Sequence, residues 1–305
     1  LFPLLNGSRI VYVGKTPTPS VLEKICQVEK PHVIPAVPLI MEKIYKKKVL
    51  AAFEKKMTLK LLAKVPGLKM KIYRKIAKKL VDFFGGELRT MAIGGAAINR
   101  EAETFLKKSG FPYLIGYGLT ESAPLLAGGP WGDPTIAVGS TGKPIPGVEI
   151  KIVDPDPRSG IGEIYARGAN IMKGYFKNPQ ATRETVDEDG WLHTGDLGNF
   201  DKANNLFIRG RSKNMILMSN GENIYPEAIE DKINSCMHVA ESLVIEDNGR
   251  LEAWVYLDYD LVDEETRGRN PQQKLEYIDE LLQRLKETIN PQLSAFAQIT
   301  RFVEH

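Results

Sequence analysis

Residues 116–122, Gly-Tyr-Gly-Leu-Thr-Glu-Ser, place bare backbone, one aromatic ring, one hydroxyl and one carboxylate side by side. Glycine lets a ligand approach the main chain closely. The Tyr117 ring offers a flat face to a flat ring. Thr120 beside Glu121 suits a hard cation carrying phosphates, because Mg2+ takes one or two carboxylates plus substrate oxygens. The composition is that of a nucleotide–Mg2+ loop, although mixed polar turns of this kind also follow strands by chance.

Two further clusters carry candidate chemistry. In GWLHTGDLG (190–198), Trp191 and Leu192 belong inside, and Thr194-Gly195-Asp196 presents one acid at what reads as a tight turn. Such an Asp is either turn chemistry or a bidentate acceptor for two ribose hydroxyls. In IRGRSKNMILMSNGENIYPEAIE (208–230), Arg211 and Lys213 sit where the composition changes. That basic junction is either a solvated linker or a contact for phosphate or ribose.

These loops need elements to position them. RIVYVG (9–14), HVIPAVP (32–38), LRTMAIGG (88–95) and FPYLIGYG (111–118) read as extended segments, with helices between them. Gly85 and Gly86 stop the helices before Leu88, and Asn99 caps a short helix that ends at Gly110. Apolar strands alternating with helices argue a mainly parallel sheet covered by helices. Ligands bind at the carboxyl ends of such strands, so the glycines after both apolar strands point at one crevice. From about Thr135, short alternating strands between Pro and Gly turns read as a small antiparallel, barrel-like sheet, interrupted by one helix with Pro179 at its first position. After Arg211 come a strand pair with a turn at Asn220-Gly221, a helix from about Pro226 and a hairpin on Asn248-Gly249. Leu275, Ile278, Leu282, Leu285 and Ile289 form the stripe of a last helix. The fold class is α/β, in three parts: 1–130, part of a large α/β domain; 131–210, the barrel-like subdomain; and 211–305, a compact α+β domain.

The 305 residues carry a net charge of +3, unevenly spread. Lys46, Lys47, Lys48, Lys55, Lys56, Lys60, Lys64, Lys69, Lys71, Arg74, Lys75, Lys78 and Lys79 crowd the segment Lys43–Lys79. Ile72, Ile76, Ala77 and Leu80 interleave at helical spacing. This is either a solvated helical face or a patch drawn to anionic lipid or phosphate. No stretch approaches the ~20 apolar residues of a membrane span. Cys26 and Cys236, far apart, read as free thiols in a reducing compartment, and four scattered His residues argue against a zinc site. The first residues have neither a basic start nor a cleavage site, so they do not read as a signal peptide, and without a Met the chain reads as beginning partway through a longer protein.

Taken in order, YGLTES, GWLHTGDLG and GRSKN…GENIYPEAIE resemble the adenylate-forming superfamily of acyl-CoA synthetases, luciferases and peptide-synthetase adenylation domains. KGYFKNPQATRETVDEDGWLHTGD and RGRSKNMILMSNGENIYP are most similar to long-chain fatty acyl-CoA synthetases. The resemblance implies that a fatty acid is activated by ATP with Mg2+ to acyl-AMP and then transferred to coenzyme A. It implies that Gly94, Gly95, Ala96 and Ala97 line the adenine and acyl pocket, with Gly116, Gly118 and Ile208 in the nucleotide-binding set. Tyr117 would stack on adenine, Thr120 would contact phosphate and acyl oxygens, and Glu121 would hold Mg2+. Asp196 would grip the ribose hydroxyls, Arg211 would contact ribose or phosphate, and Lys213 would be the hinge of a mobile C-terminal domain. Gly221, Glu222 and Asn223 would line the pantetheine tunnel of coenzyme A. The partners implied are small molecules, not nucleic acid, in a cytoplasmic enzyme that is either free or peripheral at a membrane.

The family's Ser/Thr/Gly-rich phosphate loop has no match before Gly94, and its catalytic lysine has none before His305. Ala228 and Asn214 stand where acids are frequent in the family. The sequence therefore reads as part of a longer synthetase, inactive by itself. Two other readings stand beside it: a ligase that passes acyl-AMP to a carrier protein, and a catalytically dead nucleotide- or lipid-binding module.

Overall fold

The computed structural model describes residues 2–14, 18–50, 67–129, 132–218 and 221–305. Two compact units emerge: Leu1–Gly116 with Gly129–Pro134, and Tyr117–Gly128 with Thr135–His305.

In the first unit, the short helix α1 (Phe2–Leu5) precedes α2 (Pro19–Glu29), which starts where Thr18 accepts a hydrogen bond from the Val21 N–H and Pro19 opens the first turn. Strand β1 (Val33–Ala36) leads into α3 (Pro38–Ile44), which runs on as a π-helical turn over Tyr45–Leu50. Helix α4 (Leu68–Phe83), β2 (Thr90–Ile93), α5 (Arg100–Ser109) and β3 (Tyr113–Tyr117) follow. Strands β1 and β2 pair in parallel, with Ile34 opposite Met91, and β2 pairs in parallel with β3, with Ile93 opposite Ile115. The expected helix-covered parallel sheet is present, and the glycines after β2 adjoin the end of β3.

Asn99 caps α5 as its sequence implies, accepting from the Glu101 and Ala102 N–H groups, and Gly110 ends it with a φ of 74°. The core gathers Phe84, Phe105, Phe111, Met91 and Ile93. Arg9–Gly14 departs from expectation. It is not a strand: Val11 and Tyr12 are exposed. β-branched residues make a strand only where a neighbouring strand and a core receive them.

The second unit begins with a 3-10 turn at Thr120–Ser122 and the two-residue strands β4 (Ala127–Gly128) and β5 (Lys143–Pro144), which pair antiparallel. Strands β6 (Val148–Val153), β7 (Gly162–Gly168), β8 (Leu192–Phe200) and β9 (Leu206–Arg211) form a four-stranded antiparallel meander, with α6 (Pro179–Thr185) between β7 and β8. The antiparallel sheet expected here is therefore found; it is open, and there is no closed barrel among the described residues. Asn178 caps α6 and Pro179 opens it.

After a 3-10 turn at Ser212–Asn214, β10 (Ile216–Leu217) pairs with β11 (Asn223–Ile224). Helix α7 (Pro226–Asn234), β12 (Val239–Asp247), β13 (Arg250–Leu257), α8 (Tyr259–Glu265), α9 (Pro271–Ile289) and β14 (Ile299–Glu304) complete the chain. The β12–β13 hairpin turns at Asn248 and Gly249, with φ of 51° and 76°, as an Asn-Gly type I′ turn requires. Tyr277, Ile278, Leu281, Leu285 and Ile289 of α9 are buried against this sheet, whereas Leu275 is exposed and Leu282 is partly buried. The stripe thus runs through Leu281, one position before the leucine the pattern favours. The chain is mixed α/β as expected.

Candidate active site

The site is built on a distortion of β8. Between the pairs Tyr165–His193 and Glu163–Leu197, β7 contributes one residue and β8 three, so Thr194, Gly195 and Asp196 bulge. Gly195 has a φ of 68°, which residues bearing a Cβ rarely adopt. The Thr194 hydroxyl donates to the Ile164 carbonyl at 2.7 Å and accepts from the Asp196 N–H at 3.1 Å. The Gly195 N–H donates to the Glu163 carboxylate at 3.2 Å. Asp196 therefore stands within a strand, not at a tight turn, and the bulge aims it.

Three of the candidate residues meet at this carboxylate. The Tyr117 hydroxyl donates to Asp196 Oδ2 at 2.6 Å. Arg211, the cross-strand partner of Asp196, brings Nε to Oδ1 at 3.0 Å and donates from Nη1 to the Thr194 carbonyl at 3.3 Å. Asp196 is 5 % exposed. Burial lifts its pKa above the ordinary carboxylate value, while Tyr117 and Arg211 pull it back and Glu227 and Glu163 add to the rise. Burial, and then the Asp196 charge, push the Tyr117 phenol up. Ile208 packs with Tyr117 around Ala127, Ile164 and Leu206, which gives the ring an apolar seat.

Glu121 lies half-buried in the 3-10 turn, and Thr120 before it is exposed. The Tyr175 hydroxyl donates to Glu121 Oε1 at 2.7 Å, and this bond raises the Tyr175 pKa. The turn is fastened to the segment after β7 by two more residues. The Met172 N–H donates to the Glu121 carbonyl at 2.8 Å. Asn170 Nδ2 donates to the Ser122 and Leu125 carbonyls, both at 2.8 Å. Gly118 is required here, since a Cβ would fall 1.7 Å from the Pro124 carbonyl oxygen.

The remaining candidates lie elsewhere. Gly95, Ala96 and Ala97 are exposed after β2, and Gly116 ends the same unit; all four belong to the first unit. Lys213 is exposed in the turn after β9. Gly221 has a φ of 80°, Glu222 reaches Arg158 at 3.5 Å, and Asn223 lies opposite Leu217. Asn220, expected in this turn, is outside the described residues. Tyr175, Asn170 and Glu163 escape the sequence reading, because no spacing marks contacts 32 to 54 residues apart such as Glu163–Gly195 and Tyr175–Glu121, and Glu227 escapes it because its contacts reach back across the turn after β9. Among the described residues, no cluster of His, Cys, Asp and Glu is arranged to hold a metal by protein ligands alone. One carboxylate plus substrate oxygens is instead what Mg2+ accepts, and Glu121 Oε2 carries no hydrogen bond from the described residues.

The layered α/β fold is one that solved adenylate-forming enzymes share. The chain belongs to the AMP-binding enzyme family, whose model matches residues 1–176. It is 37% identical over 203 residues to long chain acyl-CoA synthetase 6, peroxisomal, of Arabidopsis thaliana, covering 62% of this chain and 28% of that protein. It is 42% identical over 158 residues to a long-chain-fatty-acid–CoA ligase of Escherichia coli, covering 50% of this chain and 27% of that one. The crystal structure of an ATP-bound RpMatB-BxBclM chimera superposes with a TM-score of 0.71 at 25% identity, covering 99% of this chain and 52% of the other. The chain spans less than a third of the length of the two curated relatives.

Proposed function

We propose that this chain is part of an ATP-dependent ligase that converts a long-chain fatty acid to acyl-AMP and then to acyl-CoA, with release of AMP and pyrophosphate. The observation that carries the reading is the convergence of Tyr117 and Arg211 on the buried Asp196 carboxylate. A carboxylate offers about four lone-pair sites, of which the Tyr117 hydrogen bond and the Arg211 ion pair occupy two. The other two would accept the ribose 2′- and 3′-hydroxyls of ATP. The Tyr117 ring would lie against adenine, with Gly118 and Ile208 beside it. Thr120 would contact phosphate and acyl oxygens. Glu121 would hold Mg2+, which neutralises phosphate charge when bound. The fatty carboxylate then attacks the α-phosphorus in line, and the thiol of coenzyme A attacks the resulting anhydride. Positioning and charge stabilisation drive both steps, so the chain supplies no nucleophile. Lys213 would be the hinge between the steps, and Gly221, Glu222 and Asn223 would line the pantetheine path. The two curated relatives named above, both called fatty acid ligases or synthetases, support coenzyme A as the acceptor over a carrier protein. Palmitate-dependent exchange of labelled pyrophosphate into ATP by the complete protein tests this reading.

Tyr175 leads to the first expectation. Its hydroxyl fixes one oxygen of Glu121 and so presents the other. Tyr175→Phe should raise the Mg2+ concentration for half-maximal exchange about three- to tenfold, with the KM for palmitate unchanged. Measuring exchange across a Mg2+ series at saturating ATP checks it; an unshifted midpoint would detach Tyr175 from the metal.

The basic segment carries a second. Helix α4 turns Ala77, Leu80 and Phe83 into its own core and leaves Lys69, Lys71, Arg74, Lys75, Lys78 and Lys79 exposed. Lys55, Lys56, Lys60 and Lys64 lie outside the described residues. No helix among the described residues is long and apolar enough to cross a membrane. We propose that this basic face draws a cytoplasmic enzyme electrostatically to the membrane periphery. Binding to anionic vesicles should disappear in high salt, since exposed charges are screened within ~8–10 Å at moderate ionic strength. Equal sedimentation with neutral and anionic vesicles would leave only a solvated face.

A further inference from the structure

Glu227 opens the first turn of α7, just after Pro226. An acid there already favours the helix dipole. This one also reaches back along the chain. Its Oε1 accepts from the Arg211 N–H at 3.3 Å and from Asn214 Nδ2 at 2.8 Å. Its Oε2 is buried without a hydrogen-bond partner. The carboxylate lies against Gly210, where a Cβ would come within 2.4 Å of Oε2 and displace it. The two donors flank Lys213, which lies in a single 3-10 turn. Arg211 is the last residue of β9 and holds Asp196 through Nε.

A rotation at Lys213 moves α7 and Asn214 together and leaves Arg211 behind. Glu227 cannot then keep both donors. The unpartnered oxygen makes release cheap, because opening returns a dehydrated carboxylate oxygen to water. We propose that Glu227 is a positioning residue that latches α7 to Arg211 across Lys213, and that the C-terminal part turns only when this carboxylate lets go. The proposal rests on the hinge reading of Lys213.

The test is limited trypsin digestion of the complete protein, with cleavage after Lys213 followed by mass spectrometry. Cleavage requires the segment to open locally, and its rate tracks the open population. Glu227→Ala should accelerate cleavage at Lys213 roughly five- to thirtyfold, and Asn214→Ala about two- to fivefold. Glu227→Gln should stay within about threefold of native, because its amide oxygen still accepts both bonds. A native rate at Lys213 in both alanine variants overturns the latch. Equal acceleration at every tryptic site in Glu227→Ala would mean that this substitution loosens the whole unit, and Asn214→Ala, which leaves the α7 carboxylate in place, then decides: acceleration confined to Lys213 supports the latch, and its absence overturns it. The readout needs no ATP, so it stands or falls separately from fatty acid activation.

Discussion

Asp196→Ala in the complete protein weakens the apparent affinity for ATP by roughly ten- to a hundredfold, the loss expected when a charged hydrogen-bond partner is removed. The same substitution strips Arg211 of its ion pair and leaves the Tyr117 hydroxyl without its acceptor. Asp196→Asn separates binding from stability. Burial holds the native carboxyl's pKa above its unfolded value, so the folded state binds the proton more tightly. Native stability from this group is therefore fully present below the unfolded pKa and is lost as pH rises through the folded one. At pH 7 the amide variant should melt at least as high as native, and its advantage should shrink toward pH 4. Titration of ATP binding together with thermal unfolding at the two pH values checks both halves. Native-like ATP affinity in the alanine variant would remove Asp196 from the nucleotide site.

The second large effect falls on Lys213. Proline there fixes φ near −65° and deletes the backbone N–H, in a turn where a hinge must absorb a change in φ and ψ. On the proposed mechanism the two half-reactions need different groups over one site, so a fixed hinge would not serve both. Lys213→Pro should leave acyl-AMP formation measurable and depress thioester formation, from supplied acyl-AMP and coenzyme A, by about a hundredfold or more. Each half-reaction is assayed separately on one folded preparation. Equal losses in both, with an unchanged circular dichroism spectrum, would place Lys213 in the shared site.

What could be read from the chain was local. Asn99 and Gly110 mark the ends of α5, Pro179 opens α6, and Asn248-Gly249 turns the hairpin, because caps and tight turns are decided by a few neighbouring residues. The site loops were legible as residue types, but not their partners. Tyr117 and Asp196 lie 79 positions apart, and their bond depends on the bulge in β8, which no periodicity announces. Thr194-Gly195-Asp196 reads as a turn, whereas it bulges within β8. Arg9–Gly14 failed in the opposite way: its pattern asks for a strand, but strand formation is settled by what lies alongside. Leu281 and Leu282 differ by one helical step, and packing against β12–β14 chose between them.

Pyrophosphate exchange tests the central claim most directly. In the complete protein, labelled pyrophosphate should enter ATP only when a long-chain carboxylate such as palmitate is supplied, and Asp196→Ala should lower that exchange roughly ten- to a hundredfold at subsaturating ATP. Folded protein that binds ATP but exchanges no label with palmitate, or exchanges equally without any carboxylate, would contradict it.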